Sequence, residues 1–346
     1  YSRSLSSLVS SLQRKIFTPI SLQSRFYQVT VVGGATEIGQ TLGLLLRAQP
    51  KITNLVIHDT REYTQGVTMD LSHVPTEMMV TGYTGHDTLH KALHKSDIVI
   101  AIGGALLTPG VPKKRWISAN TDFVKTVASA VARLNPQPFF AIATEPLNCL
   151  VPMAAEIMRN SGQCDPKKLF GVTTLDAIRA QTLYATENKL KPRNCVVPVV
   201  GGHSNETAIP LLSQSCPKLQ LTDKVVQEFT TKFLESNERV VHAKRGWAPT
   251  LSVAYSVLIF TRSLLQALDG QPAQVNAFVE NNDFGTSYFS GLVQVNKDGV
   301  EEMQRYCGLT QYECCLLERS IYQLRKDILY GKKILESPVY NTQLYK

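Results

Sequence analysis

The stretch from Gln28 to Asp59 restricts the fold more than any other part of the chain. Gln28-Val-Thr-Val-Val32 is a short β-branched run ending at Gly33-Gly34, and Ile38 to Arg47 then reads as an apolar helix. A second strand, Leu55-Val-Ile-His-Asp59, ends in an acid roughly twenty residues beyond the turn. Strand, glycine turn and helix make the opening unit of a dinucleotide-binding sheet, with a pyrophosphate expected over the helix N-terminus. Asp59 is then placed to bond a ribose diol, which favours NAD over NADP.

Two later stretches carry chemistry. Phe170-Gly-Val-Thr-Thr-Leu-Asp176-Ala-Ile-Arg179-Ala is answered downstream by Pro198-Val-Val-Gly-Gly-His203-Ser. A carboxylate, a guanidinium and an imidazole together can hold a small anion and move a proton, because Asp fixes the His tautomer and stabilises the imidazolium. That is machinery for interconverting an alcohol and a ketone. These two stretches, with Asp70-Leu-Ser-His73 and Thr250-Leu-Ser-Val-Ala-Tyr255 in the same order and spacing, resemble mitochondrial-type malate dehydrogenase of the lactate/malate dehydrogenase superfamily. The resemblance runs from Val29 to Lys333 and marks the chain as a divergent paralogue.

The resemblance implies an α/β fold: a Rossmann-type parallel-sheet domain over residues 27–172, then an α/β (α+β) substrate domain over 173–336. It also implies NAD as cofactor, a homodimer, and a small dicarboxylate as substrate. His203 and Asp176 take the catalytic roles, and Arg179 holds the substrate's proximal carboxylate. Gly33, Gly39, Asp59 and Asn120 fall at cofactor positions, and Asn148 at a substrate position.

Several positions depart from the family pattern. The usual Gly-Ala-x-Gly-x-x-Gly aligns with Gly33-Gly34-Ala35-Thr36-Glu37-Ile38-Gly39, so Thr36 replaces the glycine that lets backbone approach the pyrophosphate. Glu37 adds a negative charge beside two phosphates; like charges near 4 Å cost about 1 to 4 kcal/mol, so NAD binding is expected to be weak or lost. In the lid after Ile102, the two family arginines align with Leu107 and Lys113; Leu cannot pair a carboxylate, and Lys cannot reproduce the guanidinium fork. Glu145 stands where the family has an Asn near nicotinamide and substrate. Trp247 and Pro249 replace small residues of a pocket wall, with Trp247 directed either inward or outward. Together these changes favour a catalytically impaired or inactive paralogue with a structural or interaction role, for which a larger mitochondrial assembly is a candidate setting. The alternatives are an ordinary NAD-dependent malate dehydrogenase and a related 2-hydroxy acid dehydrogenase of altered substrate.

Composition narrows the setting. Of the net charge of +8, half comes from Arg3, Arg14, Lys15 and Arg25, with no acid among residues 1–27. The remainder is a mild surplus, which gives no sign of a nucleic-acid partner. No apolar run approaches the ~20 residues that span a bilayer, so no membrane is expected. Residues 1–26, rich in Ser and Arg and poor in acids, read as a mitochondrial transit peptide, which places the mature chain in the matrix. Seven scattered cysteines fit a reducing compartment and suggest neither a disulfide scaffold nor a zinc site. His86, His90 and His94 are spaced four apart, but read as a solvated polar helix face rather than a metal site. Thr310-x-x-Glu313 reads as a capping box opening a terminal helix. Residues 337–346 form a C-terminal tail, read as disordered or as a docking peptide.

Overall fold

The computed structural model describes residues 26–106, 110–162 and 164–335. The transit-peptide expectation, the tail and Leu107 lie outside them. The first half alternates strand and helix: β1 (Tyr27–Val32), α1 (Glu37–Arg47), β2 (Ile52–Asp59), α2 (Thr64–Ser72), β3 (Met79–Thr84), α3 (Leu89–Leu93), β4 (Ile98–Ala101), α4 (Lys113–Val131), β5 (Phe139–Ile142), α5 (Leu147–Asn160) and β6 (Leu169–Val172). Its strands are parallel in the order β3-β2-β1-β4-β5-β6. Helices cover both faces, which is why β4 and β5 are continuous apolar runs, buried throughout. The order reverses between β1 and β4, and the crevice beyond their carboxyl ends is where such sheets bind ligands.

The second half comprises α6 (Thr174–Glu187), β7 (Val199–Gly201), β8 (Ala208–Pro210), α7 (Asp223–Leu234), α8 (Ser236–Ala243), α9 (Leu251–Leu268), β9 (Ala273–Glu280), β10 (Tyr288–Asn296), β11 (Gly299–Met303) and α10 (Gln311–Lys333). Strand β9 pairs antiparallel with β6, Phe278 opposite Gly171, so one sheet runs through both halves. Phe139, Phe170 and Phe260 stack edge to face across this junction, with centroids 5.7 and 5.8 Å apart. This shared core fixes the second half against the first.

Helix α9 is long and apolar enough to cross a bilayer by length and composition alone, contrary to the sequence expectation. Its inner face, including Ala254, Val257, Phe260 and Leu264, is instead buried in the core, and Arg262 bonds Gln49 at 2.7 Å. The histidine trio does not share one helical face. His86 sits in a 3₁₀ turn, His90 in α3, and His94 beyond it in extended backbone. The capping box forms as its spacing implies: Thr310 Oγ1 accepts from the Glu313 N–H, and the Glu313 carboxylate accepts from the Thr310 N–H.

Candidate active site

Helix α6 begins immediately after β6, so Asp176 in its first turn and Arg179 one turn later project on one face. His203 arrives from the loop after β7, where Gly201 holds φ +104° and a Cβ would strike the Thr207 carbonyl oxygen at 2.2 Å. His203 Nδ1 lies 2.5 Å from Asp176 Oδ2. Both side chains are nearly buried. They line a cavity of about 450 Å³ with Arg179, whose Nη2 donates to Asn237 Oδ1 at 3.1 Å. Asn237, on the short helix α8, had no distinguishing pattern in the sequence; its part here is only spatial.

The other face of His203 is taken. Glu145 Oε1 lies 3.3 Å from His203 Nε2. Carboxylates only accept, so an imidazole between two of them must donate from both nitrogens and is therefore protonated. The energetics agree: burial would lower His203, but the charge and hydrogen bond of Asp176, then those of Glu145, push it up from 6.5 to about 10. For Glu145, burial would raise its carboxyl, but the His203 hydrogen bond and the positive charges of His203 and Arg179 outweigh this and hold it low. The Glu145 side chain is 41 % exposed against 9 % for Asp176, so solvent screens its contribution more.

Two residues expected at the site make internal contacts. Asn148 is 2 % exposed; its Oδ1 accepts from the His203 backbone N–H at 2.9 Å, and its Nδ2 donates to Asp327 and Thr207. Its amide positions the His203 loop, and the residue also lines the cavity. Asn120 is fully buried, clasps both backbone groups of Ala105, and donates to the Glu145 carbonyl at 2.6 Å. It holds two loops together. Lys113 opens α4, but its side chain lies outside the described residues.

The cofactor side is a cleft of about 620 Å³ beyond β1 and β4. Gly33, at φ +88°, packs so closely on Gly103 that a Cβ would meet its Cα at 2.2 Å; a Cβ on Gly39 would lie 2.4 Å from the Gly33 carbonyl oxygen. Between them Thr36 closes the turn on itself: its Oγ1 donates to the Gly33 carbonyl at 2.7 Å and accepts from the Gly39 N–H at 3.0 Å. One N–H that could face a pyrophosphate is thus already used, and Glu37 stands in the first turn of α1. Asp59 is only 4 % exposed and is salt-bridged to Arg61, so it is not presented to a ribose as the sequence suggested. Trp247, 63 % exposed, lines this cleft and not the His203 cavity. Pro249 lines a constriction of about 50 Å³ that shares Glu145 with the cavity and Ala248 with the cleft.

The model described as lactate/malate dehydrogenase, NAD binding domain, matches residues 27–171, and that of the alpha/beta C-terminal domain matches residues 173–335. The chain is similar to malate dehydrogenase 2, mitochondrial, of Arabidopsis thaliana, at 37 % identity covering 96 % of this chain and 97 % of that protein. It is 38 % identical to malate dehydrogenase of Pseudoalteromonas atlantica over 90 % of this chain and all of that one. The crystal structure of Cryptosporidium parvum malate dehydrogenase shares the fold, with a TM-score of 0.74 at 23 % identity over 88 % of this chain and 99 % of that one.

Proposed function

The chain belongs to the lactate/malate dehydrogenase family, and from that premise we propose that it is a malate dehydrogenase-like protein whose own turnover is strongly impaired. The observation that carries this is the Glu145 carboxylate 3.3 Å from His203 Nε2. Oxidation of a 2-hydroxy acid requires a neutral Nε2 facing the hydroxyl to accept its proton. Here that nitrogen carries a proton and donates it to a protein carboxylate. Arg179 can still receive one carboxylate of a small acid, and its charge also attracts Glu145, so substrate and side chain compete for the same positive region. The closed turn at Thr36, with Glu37 beside it, supports weak or absent NAD binding.

With catalysis impaired, the role is structural or one of interaction, in the mitochondrial matrix and as a homodimer. Leu44 on α1, Met69 on α2 and Leu251 and Tyr255 on α9 are exposed apolar residues on helices that also bury an inner face, which suits pairing with a second copy. The intact Asp176–His203 pair favours a second reading, a slow NAD-dependent 2-hydroxy acid dehydrogenase of altered substrate. Steady-state malate oxidation by the purified chain at saturating NAD tests the first. Turnover several orders of magnitude below an ordinary enzyme is expected; about ten per second or faster would overturn it.

A further inference from the structure

Asp59 stands where an acid should receive the two hydroxyls of a cofactor ribose, yet its acceptor capacity is spent inside the protein. Oδ2 accepts from the Ala35 N–H at 3.0 Å and from Arg61 Nη1 at 2.9 Å; Oδ1 accepts from Arg61 Nη1 at 2.9 Å and from the Arg61 N–H at 3.2 Å. A carboxylate has about four lone-pair positions, and these four contacts fill them. A ribose diol would therefore displace Arg61 or go unbonded.

Arg61 is the group that faces the cleft. Its side chain is 40 % exposed and lines the cavity wall, and no bond to its Nε or Nη2 is found among the described residues. A guanidinium fixed on one side by a buried carboxylate, with the N–H groups of Nε and Nη2 to spare on the other, is preorganised for a bidentate phosphate. Arg245 joins it in lining the same cleft, as do the exposed rings of Tyr63 and Trp247, which suit the face of a base.

We propose that the Arg61 end of this cleft binds a phosphate monoester on an adenosine ribose, so that the chain takes a 2′-phosphorylated nicotinamide dinucleotide in preference to the unphosphorylated one. Asp59 is then a positioning residue for Arg61 and not a ribose ligand. The proposal rests on reading this cleft as the family's cofactor cleft, but it is independent of whether His203 turns over substrate. It also separates two ends of one ligand: the turn at Thr36 and Glu37 weakens the hold on the pyrophosphate, and Arg61 supplies a contact elsewhere.

Binding to the full chain, followed by calorimetry and by quenching of Trp247 fluorescence, tests it without any turnover. The fragments 2′-AMP, 3′-AMP and 5′-AMP separate a ribose phosphate from a phosphate at the turn; NADPH and NADH test the whole cofactor. We expect 2′-AMP to bind about tenfold or more tightly than 5′-AMP, and NADPH likewise over NADH. Arg61→Ala should abolish both preferences and, by freeing Asp59, strengthen NADH; Arg61→Gln, closer in size, should do the same if the alanine variant folds poorly. NADH binding equal to or tighter than NADPH overturns the proposal, as does an Arg61 variant that leaves the ratio unchanged. Tighter binding of 3′-AMP than 2′-AMP overturns the assignment to a dinucleotide. None of these outcomes bears on the malate turnover measurement, so the two readings fail separately.

Discussion

The cofactor cleft and the substrate cavity differ in how each departs from its family pattern. In the cleft, Gly33 and Gly39 remain, and both are demanded by contacts within the protein: neither has room for a Cβ. The position changed to Thr36 is one whose glycine serves the ligand, and Thr36 fits the fold well enough to cap α1. In the cavity Asp176, Arg179 and His203 are retained, and the change the structure shows is a carboxylate, Glu145, lying on the imidazole. The residues that packing demands thus persist, and the changed positions are ones where packing makes no such demand. The cleft is changed in the shape of a turn; the cavity is changed in the charge beside its imidazole.

The largest expected effect tests the packing half of that contrast. Gly39→Ala puts a Cβ 2.4 Å from the Gly33 carbonyl oxygen and 2.6 Å from Gly34 Cα, both backbone atoms that cannot swing aside. It should lower stability by about 3 kcal/mol, measured by urea denaturation. Thr36→Gly, three residues away, gives up a helix cap and should lose only a few tenths of a kcal/mol. Equal losses at the two positions would remove the distinction between glycines serving the fold and those serving a ligand.

Next in size is NADH affinity. Thr36→Gly with Glu37→Gly reopens the Gly39 N–H and removes a charge worth about 1 to 4 kcal/mol near phosphate, so the dissociation constant should fall about tenfold or more. No change in a calorimetric titration would mean that the turn is not what limits binding.

Glu145→Asn tests the cavity, with a smaller effect. His203 is raised from 6.5 to about 10, so its neutral fraction, and any residual malate oxidation, should climb about tenfold per pH unit above pH 7 until that value is reached. Removing the half-exposed Glu145 should bring the rise to lower pH, while Asp176 maintains the rest. Stability follows the same group with a definite sign. A folded-state value above the unfolded one contributes stability that is fully present below about pH 6.5 and is lost as pH rises through about 10. The melting temperature should therefore decline over that window, and less steeply in Glu145→Asn.

Much of the fold was legible because its signals are local: β-branched runs ending in glycine, an apolar helix, a Thr-x-x-Glu cap. The turn between Gly33 and Gly39 was legible for the same reason. What escaped depends on partners far along the chain. Asn148 reads as a cavity residue, but its hold on the His203 loop, through Asp327 and the His203 N–H, 179 and 55 residues away, could not be read. Trp247 follows Gly246 at φ +98°, and that backbone sends it to the cofactor cleft instead of the His203 cavity. Arg61 escaped for another reason: it stands two residues past the expected ribose acid, a local signal that was not read.

The smallest effect probes whether the cavity is insulated from the scaffold that carries it. Thr310 caps α10, and the partner carboxylate of Glu313 is buried and also accepts from the Ser213 N–H at 3.0 Å. Thr310→Ala removes one cap bond, worth about 1 kcal/mol, which should lower the melting temperature by about 2 °C. Asp327, on the same helix, holds Asn148 at 3.0 Å, and Asn148 holds the His203 backbone at 2.9 Å, so a frayed α10 has a route to the imidazole. The first turn of α10 and Asp327 are separated by about four helical turns, however, and fraying is confined to the terminal turn. The His203 titration, followed by NMR, should therefore be unchanged in Thr310→Ala. A shift of its midpoint would show that the protonation of His203 depends on the cap of α10 as well as on the two carboxylates beside it.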